Sequence, residues 1–198
     1  MDTKRIFDIL LASFGLIVLS PVFVVIAILI LLDSNGGIFY RQIRVGKNVE
    51  DFPLFKFRTM YVHQTDQQLL TIGNHDTRIT KIGYWLRKYK LDELPQLLNI
   101  LKGHMSFVGP RPEVRKYVNL YNEEQIRVLS VKPGITDWAS IEFSDECELL
   151  EKSNDPEHFY IEEIIPLKIT QNLKYINNHD LWIDLKIIFL TLRKIAIG

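Results

Sequence analysis

Residues 91–112 read LDELPQLLNILKGHMSFVGPRP, with two adjacent carboxylates, Asp92 and Glu93, where a helix is expected to begin. Pro95 suits a first helical turn, and Gly103 can end the apolar stripe that follows. The start of a helix presents unpaired N–H groups and a partial positive charge, which favour phosphate. We therefore predict that the acid pair meets a phosphorylated substrate, with a metal ion or nearby cations offsetting the charge repulsion. The alternative is purely structural, with Asp92 acting as an N-cap.

The rest of the chain predicts an α+β fold that is mostly helical. An alternation of apolar and polar residues predicts a β-hairpin. Other patterns predict short strands at 105–108 and 135–141, and several helices. The hairpin strands are 39–45 and 52–57, and the helices are 79–89, one from Asp92, 113–129, 156–177 and 180–196. No repeat or low-complexity linker divides the chain, so we predict a single compact domain. Its parts are a membrane anchor over 1–36 and a cytosolic domain over 37–198.

Residues 9–32 carry no charged side chain and predict a membrane segment. Ser20 and Pro21 lie at its middle, where proline disfavours a straight helix. Basic residues flank both ends of the segment, which fits a helix that enters and leaves by the same face. On these grounds a straight span and a re-entrant hairpin stay about equally supported, since transmembrane helices tolerate proline.

The C-terminal helix predicts a second membrane contact. Its apolar residues are interleaved with charged ones, and Trp182 suits the depth of the lipid headgroups. The alternative is an ordinary terminal helix packed on the domain.

The composition limits the classes of partner. Lysine plus arginine and aspartate plus glutamate number 24 each, so the net charge gives no reason to expect nucleic acid. Cys147 is the one cysteine, which excludes an internal disulfide framework and a cysteine-based metal site. A basic run at 78–90 leads directly into Asp92 and suits an anionic substrate or lipid headgroups.

Several short motifs give the chain a family resemblance. Two of the motifs are Leu91 to Pro95 and Val108 to Pro112, and further short strings lie near 4–8, 41–42, 56–60, 76–80 and 132–136. Together they extend over most of the chain, in the same order as in a known family. The chain thereby resembles the bacterial sugar transferases called monotopic phosphoglycosyl transferases. The resemblance implies a re-entrant helix with Ser20-Pro21 as its bend. It also implies a place in the bacterial inner membrane, with the catalytic domain facing the cytoplasm.

The resemblance further implies a two-step chemistry. The carboxylate of Asp92 would attack the diphosphate of a UDP-sugar, releasing UMP and leaving a phosphosugar on the enzyme. Membrane polyprenyl phosphate, such as undecaprenyl phosphate, would then accept that group and so begin a surface glycoconjugate. Glu93 would ligate Mg²⁺, with Mn²⁺ as the alternative ion, and a homodimer is an open alternative to a monomer. The competing hypothesis is a non-catalytic membrane scaffold for a polysaccharide assembly complex.

Basic residues near these motifs are candidates for binding the substrate phosphates. Arg111 stands between two prolines and can present a bidentate fork to phosphate. The other candidates are Lys56, Arg58, Arg78 and Arg87. His104 and Asp137 depart from the usual family pattern, so the sugar is not identified by the motifs.

Overall fold

The computed structural model describes residues 3–62, 70, 76–144 and 146–197. The helices among these residues are α1 Thr3–Asp33, α2 Lys81–Lys88, α3 Gln96–Leu101, α4 Arg115–Val118, α5 Trp138–Glu142, α6 Glu146–Glu151, α7 Pro156–Phe159, α8 Ile165–Asn178 and α9 Leu181–Ile197. The strands are β1 Phe39–Val45, β2 Asp51–Phe57, β3 Ser106–Val108 and β4 Gly134–Thr136. The predicted α+β class, mostly helical, is confirmed.

The strands form two small sheets. β1 and β2 make the predicted antiparallel hairpin, in register from Phe39 opposite Phe57 to Val45 opposite Asp51. β3 and β4 pair in parallel. The predicted strand 135–141 is wrong beyond Thr136, because the next residues turn into helix α5.

The helical predictions differ in their outcomes. The helix predicted at 79–89 is present as α2, and that at 180–196 as α9. The segment 156–177 is helical but divided into α7, a π-helical turn at Tyr160–Ile164, and α8. The single helix predicted at 113–129 is wrong, because it is replaced by α4 and a short 3-10 helix at Gln125–Ser130.

Helix α1 is continuous through Ser20 and Pro21, so the helix is not broken at the predicted bend. Proline has no N–H to donate to the carbonyl four residues earlier, which is that of Ile17. The Ser20 hydroxyl donates to this same carbonyl at 2.8 Å. Because the freed acceptor is satisfied within the helix, Pro21 need not interrupt it. The re-entrant course itself stays a prediction.

One face of α1 packs on the domain along the length of the helix. Ala12, Ile26 and Ile30 are buried there against apolar side chains of β2, α2 and α3. The opposite face exposes large apolar side chains, among them Leu10, Phe14, Ile17, Val18, Val25 and Leu32. Within the described part of the chain, α1 is the one helix long and apolar enough to cross a membrane.

Polar contacts fix the start of α1. The Asp8 carboxylate is buried and accepts hydrogen bonds from the Ser106 hydroxyl and the Phe107 N–H, both at 3.1 Å. Arg5 donates to the carbonyls of Ile100 and Leu101 at 2.6 and 3.1 Å, which satisfies the end of α3. Arg5 and Asp8, two charged residues of the motif at 4–8, therefore have a structural role.

Helix α9 has a buried face and an exposed face. Ile187 is fully buried beside Val108, whereas Trp182, Phe189 and Leu192 are exposed. Asp184 is buried and pairs with Lys4 of α1. The helix is thus packed on the domain through one side, and its apolar outer side is compatible with the predicted interfacial location.

Candidate active site

Asp92 and Glu93 lie on a single 3-10 turn, Leu91–Glu93, that follows α2. Lys90 enters this turn with φ +55°, a left-handed conformation that reverses the chain between the helices. Regular α-helix begins only at Gln96, so the prediction that α3 starts at Asp92 is wrong by one turn. Both carboxyl side chains are nevertheless buried within the domain.

Glu93 is held by two cations. Its Oε1 accepts hydrogen bonds from Lys56 Nζ, at 2.9 Å, and from Nη2 of Arg111. Its Oε2 accepts from Nη1 of Arg111 at 3.2 Å. Burial alone would raise the pKa of Glu93, but Arg111 and Lys56 outweigh burial and hold this pKa well below its ordinary value. Glu93 is therefore a carboxylate at neutral pH.

Asp92 is in a different electrostatic state. Among the described residues no hydrogen bond or ion pair engages its carboxyl group, although the side chain is buried. Burial raises the pKa of Asp92 and the adjacent Glu93 raises it further, while the charge of Lys56 acts in the opposite direction. A desolvated carboxylate without a partner is more reactive than one that donors stabilise, which suits a nucleophile.

The loop that carries Arg111 is fixed by backbone contacts. Gly109 and Gly134 approach so closely that a Cβ on Gly134 would lie 2.2 Å from the nitrogen of Gly109. The N–H of Gly134 donates to the Pro110 carbonyl at 3.1 Å, which joins the Arg111 loop to strand β4. Only glycine permits this approach, which explains the glycines of the two motifs.

Asp137, which departs from the family pattern, supports Arg111 directly. Its Oδ2 accepts from the Arg111 backbone N–H at 3.1 Å, and its Oδ1 accepts from the Ser140 N–H at 2.6 Å. The second bond caps the start of α5, and Asp137 is almost completely buried. The departure thus reinforces the site.

Asn99 is a supporting residue that the sequence analysis missed. This fully buried side chain accepts from the Phe55 N–H at 2.9 Å and donates to the Pro53 carbonyl at 2.7 Å. It thereby fixes α3 against β2, the strand that carries Lys56. An amide within an apolar helical stripe was the signal that could have identified it.

The other predicted phosphate-binding residues lie in two different settings. Arg58 is buried and caps the end of α1, donating to the Gly37 carbonyl at 2.5 Å, the Ser34 hydroxyl at 2.6 Å and the Ser34 carbonyl at 2.8 Å. These contacts give Arg58 a structural role, and it also lines the cleft that contains Asp92, so its predicted contact with phosphate stays a prediction. Arg78 pairs with Asp76. Arg87 lowers the pKa of Asp92 electrostatically, so it acts on the acid pair.

A cleft of about 1090 Å³ opens beside Asp92. The basic residues of its lining include Lys56, Arg58, Arg78, Arg87, Lys90 and Arg111. Lys56, Arg87 and Lys90 act electrostatically on Asp92, and Arg111 binds Glu93. Another part of the lining is apolar and comes from α1 and α9, through Leu11, Gly15, Leu19, Ile188, Leu192 and Ile195. The cleft therefore combines a cationic region, suited to a diphosphate, with an apolar region suited to a lipid.

The donor set for a metal ion is small. No cluster of three or more His, Cys, Asp or Glu side chains occurs in the described ranges 3–62, 70, 76–144 and 146–197. Mg²⁺ often binds through one or two carboxylates together with water and substrate phosphates. Glu93 fits that second mode through Oε2, which accepts one hydrogen bond from Arg111 and keeps a free lone pair. The oxygens of the adjacent Asp92 have no partner among the described side chains.

Comparison with known proteins places these features in a family. The bacterial sugar transferase family model matches residues 1–198. A UDP-glucose:undecaprenyl-phosphate glucose-1-phosphate transferase of Klebsiella pneumoniae is 39% identical over 199 residues, which cover 98% of this chain and 40% of that protein. A UDP-N-acetylgalactosamine-undecaprenyl-phosphate N-acetylgalactosaminephosphotransferase of Aeromonas hydrophila is 36% identical, over 98% of this chain and 44% of its own length.

A shorter relative matches along most of its length. The uncharacterized sugar transferase EpsL of Bacillus subtilis (strain 168) is 38% identical over 201 residues, covering 100% of this chain and 89% of that protein. The chain spans about two fifths of the length of the first two relatives. The family model matches residues 1–198, which shows that the chain belongs to the bacterial sugar transferase family.

Proposed function

We propose that this protein transfers a phosphosugar from a UDP-sugar to membrane polyprenyl phosphate, with release of UMP and through a covalent intermediate on Asp92. The observation that carries the proposal is the contrast within the acid pair: Glu93 is held by Arg111 and Lys56, whereas Asp92 is buried without a partner in the described residues. The printed names of relatives that act on UDP-glucose or UDP-N-acetylgalactosamine and undecaprenyl phosphate support it.

In the first step an oxygen of Asp92 attacks the sugar-bearing phosphorus. An acyl–phosphate P–O bond forms, the bond between this phosphorus and the bridging oxygen breaks, and UMP departs with that oxygen. Arg111 and Lys56 reduce the repulsion between the incoming carboxylate and the diphosphate, which amounts to several kcal/mol per charge pair at about 4 Å and an effective dielectric near 20. Their pairing with Glu93 keeps them in position.

In the second step an oxygen of the polyprenyl phosphate attacks the same phosphorus. A P–O–P bond forms, the bond to Asp92 breaks, and the carboxylate is regenerated. The apolar residues that α1 and α9 contribute to the cleft support a lipid acceptor, because Leu19 and Leu192 line the same cleft as Asp92. The exposed outer face of α1 supports membrane residence.

We also propose Mg²⁺ as the cofactor, with Mn²⁺ as a substitute. Glu93 would hold the ion together with substrate phosphate oxygens, and the ion would neutralise charge that builds up on the diphosphate. Arg111 and Lys56 orient Glu93 for this role through the contacts already described.

The packing of α1 supports a monotopic arrangement in the inner membrane, with the domain facing the cytoplasm. Near one end Lys4 pairs with Asp184, and at the other end the Asp33 carboxylate accepts from the Ile82 N–H at 3.0 Å. A helix of this length spans about 46 Å, more than the roughly 30 Å hydrocarbon core. A perpendicular crossing would put its two ends on opposite sides, yet both contact the same domain.

The experiment that tests this function measures UMP release from UDP-sugars without a lipid acceptor. We expect about one UMP per active site in this half-reaction, followed by turnover when polyprenyl phosphate is added. A non-catalytic scaffold would release no UMP from any UDP-sugar and would contradict the proposal. A requirement for lipid before any UMP is released would contradict the covalent intermediate.

A further inference from the structure

The wall of the cleft formed by α5 and α8 carries two polar groups that the mechanism above does not use. The Oδ1 atom of Asn172 and the Oγ atom of Ser140 are both buried and have no hydrogen-bond partner among the residues that the structure describes. Asn172 lies on α8 and is 6% exposed, while Ser140 lies on α5. Both residues line the same cleft as Asp92 and Arg111.

A buried amide without a partner requires an explanation. Asn172 stands on the buried face of α8 beside apolar Ile165 and Ile169, a setting in which an unsatisfied polar atom costs free energy. Nearly all buried polar groups are satisfied by protein, water or ligand. Because Asn172 lines the cleft, a ligand bound there is a candidate for the missing donor.

The α5–α8 wall is mechanically joined to the reacting groups. Asp137 accepts from the Arg111 N–H and from the Ser140 N–H, so one carboxylate connects the Arg111 loop to the start of α5. Helix α5 in turn packs on α8. The positions of Ser140 and Asn172 relative to Arg111 are therefore set by a short, buried chain of contacts.

We infer that Asn172 and Ser140 bind hydroxyl groups of the hexose in the nucleotide sugar and determine which hexose is accepted. This inference rests on the proposed function, because the sugar attached to the reacting phosphorus must lie in the cleft beside Asp92. A sugar hydroxyl both donates and accepts, as the amide and the serine hydroxyl do. A site built to hydrogen-bond a particular hydroxyl rejects a sugar that lacks or inverts it.

Family membership alone does not determine this choice. The relatives of Klebsiella pneumoniae and Aeromonas hydrophila are named for glucose and N-acetylgalactosamine, yet their identities to this chain are similar at 39% and 36%. The discrimination must then come from individual residues at the sugar, and Asn172 and Ser140 are two polar groups available there.

The test compares four UDP-sugars with purified full-length protein in detergent. UMP release is measured with UDP-glucose, UDP-galactose and their two N-acetyl counterparts, for the wild type and for Asn172→Leu, Asn172→Asp and Ser140→Ala. UDP affinity is measured separately by calorimetry, because UDP has no hexose. The matched control is Asn178→Leu, which alters an exposed asparagine at the end of the same helix.

We expect Asn172→Leu to lower kcat/KM for the preferred sugar by about 10-fold or more and to change the ranking or ratios among the four sugars. UDP affinity should change less than about 2-fold, and the control should match the wild type. Asn172→Asp keeps the side-chain shape but replaces the amide with a carboxyl group, so it should also alter the ratios. This variant tests the inference if Asn172→Leu fails to fold. Ser140→Ala should shift the ratios less.

Three results would overturn the inference alone. Equal loss for all four sugars, or a parallel loss of UDP affinity, would place Asn172 at the nucleotide or in a purely structural role. Rates and ratios that both match the wild type in folded variants would mean that water satisfies the amide. Absence of UMP release by the wild type from every UDP-sugar would contradict the proposed function itself, and the inference with it.

Discussion

Arg111 donates to both carboxylate oxygens of Glu93, with Nη1 3.2 Å from Oε2. This fork leaves Glu93 ionised and fixed, while its neighbour Asp92 shares the same buried turn without a partner in the described part of the chain. The Glu93 carboxylate raises the pKa of Arg111, so the guanidinium remains charged throughout the accessible pH range. Two adjacent acids are thus given distinct roles by their surroundings.

Arg111→Lys should lower the rate of UMP release on the order of 100-fold, because lysine keeps the charge but loses the planar two-point contact with Glu93. Single-turnover kinetics with a UDP-sugar would measure this loss. The matched control is Arg115→Lys, which alters an exposed pair with Asp51 and should retain full activity. Wild-type rates in Arg111→Lys would remove Arg111 from the reaction.

Lys56→Met should move the acid limb of the pH–rate profile to higher pH. The nucleophile acts as a carboxylate, so its rate rises as pH increases through the pKa of Asp92. The positive charge of Lys56 lowers that pKa, and its removal therefore raises it. Adduct formation at a series of pH values tests this shift, with Lys116→Met as a control at an exposed ion pair. A downward shift or no shift would contradict the assignment of Asp92.

Excess chelator should stop turnover, and added Mg²⁺ should restore it. Glu93→Gln should need a higher Mg²⁺ concentration for half-maximal rate, since an amide is a weaker ligand than a carboxylate. The measurement is the Mg²⁺ dependence of UMP release for both proteins. Full turnover in excess chelator would exclude the proposed ion.

Both ends of α1 should face the cytoplasm. In a Cys147→Ser background, single cysteines at Thr3→Cys and Asn35→Cys should both be protected from a membrane-impermeant thiol reagent in intact cells. Asn35 is preferable to the neighbouring Gly36, whose φ of +133° and close contact with Val62 disfavour a side chain. Labelling at only one of the two positions would establish a full span.

The elements that local pattern determines were predictable from the sequence. The alternation of residues in 39–45 and 52–57 predicted the hairpin, and the uncharged run 9–32 predicted the apolar helix α1. The strand predicted over 135–141 failed after Thr136, because the Asp137 side chain caps a helix at that point. Apolar periodicity does not reveal such a switch.

The site was predictable in part, because motif position identifies a residue without showing what it contacts. Arg58 is in a matching motif, yet the motif did not reveal that its guanidinium closes the end of α1. Asn99 and Asp137 support Lys56 and Arg111 through bonds between segments distant in sequence. Those partners become visible only when the chain is folded.

The central claim is that Asp92 carries the phosphosugar, and mapping the covalent adduct tests it most directly. The protein is incubated with its UDP-sugar in the absence of lipid, digested and analysed by mass spectrometry, beside Asp92→Asn. Asparagine has nearly the same shape as aspartate, and the Asp92 carboxyl group has no hydrogen bond to lose among the described residues, so this variant should fold and bind nucleotide but form no adduct. The account predicts one phosphosugar on Asp92 of the wild-type protein. An adduct on another residue, or full activity of Asp92→Asn, would contradict it.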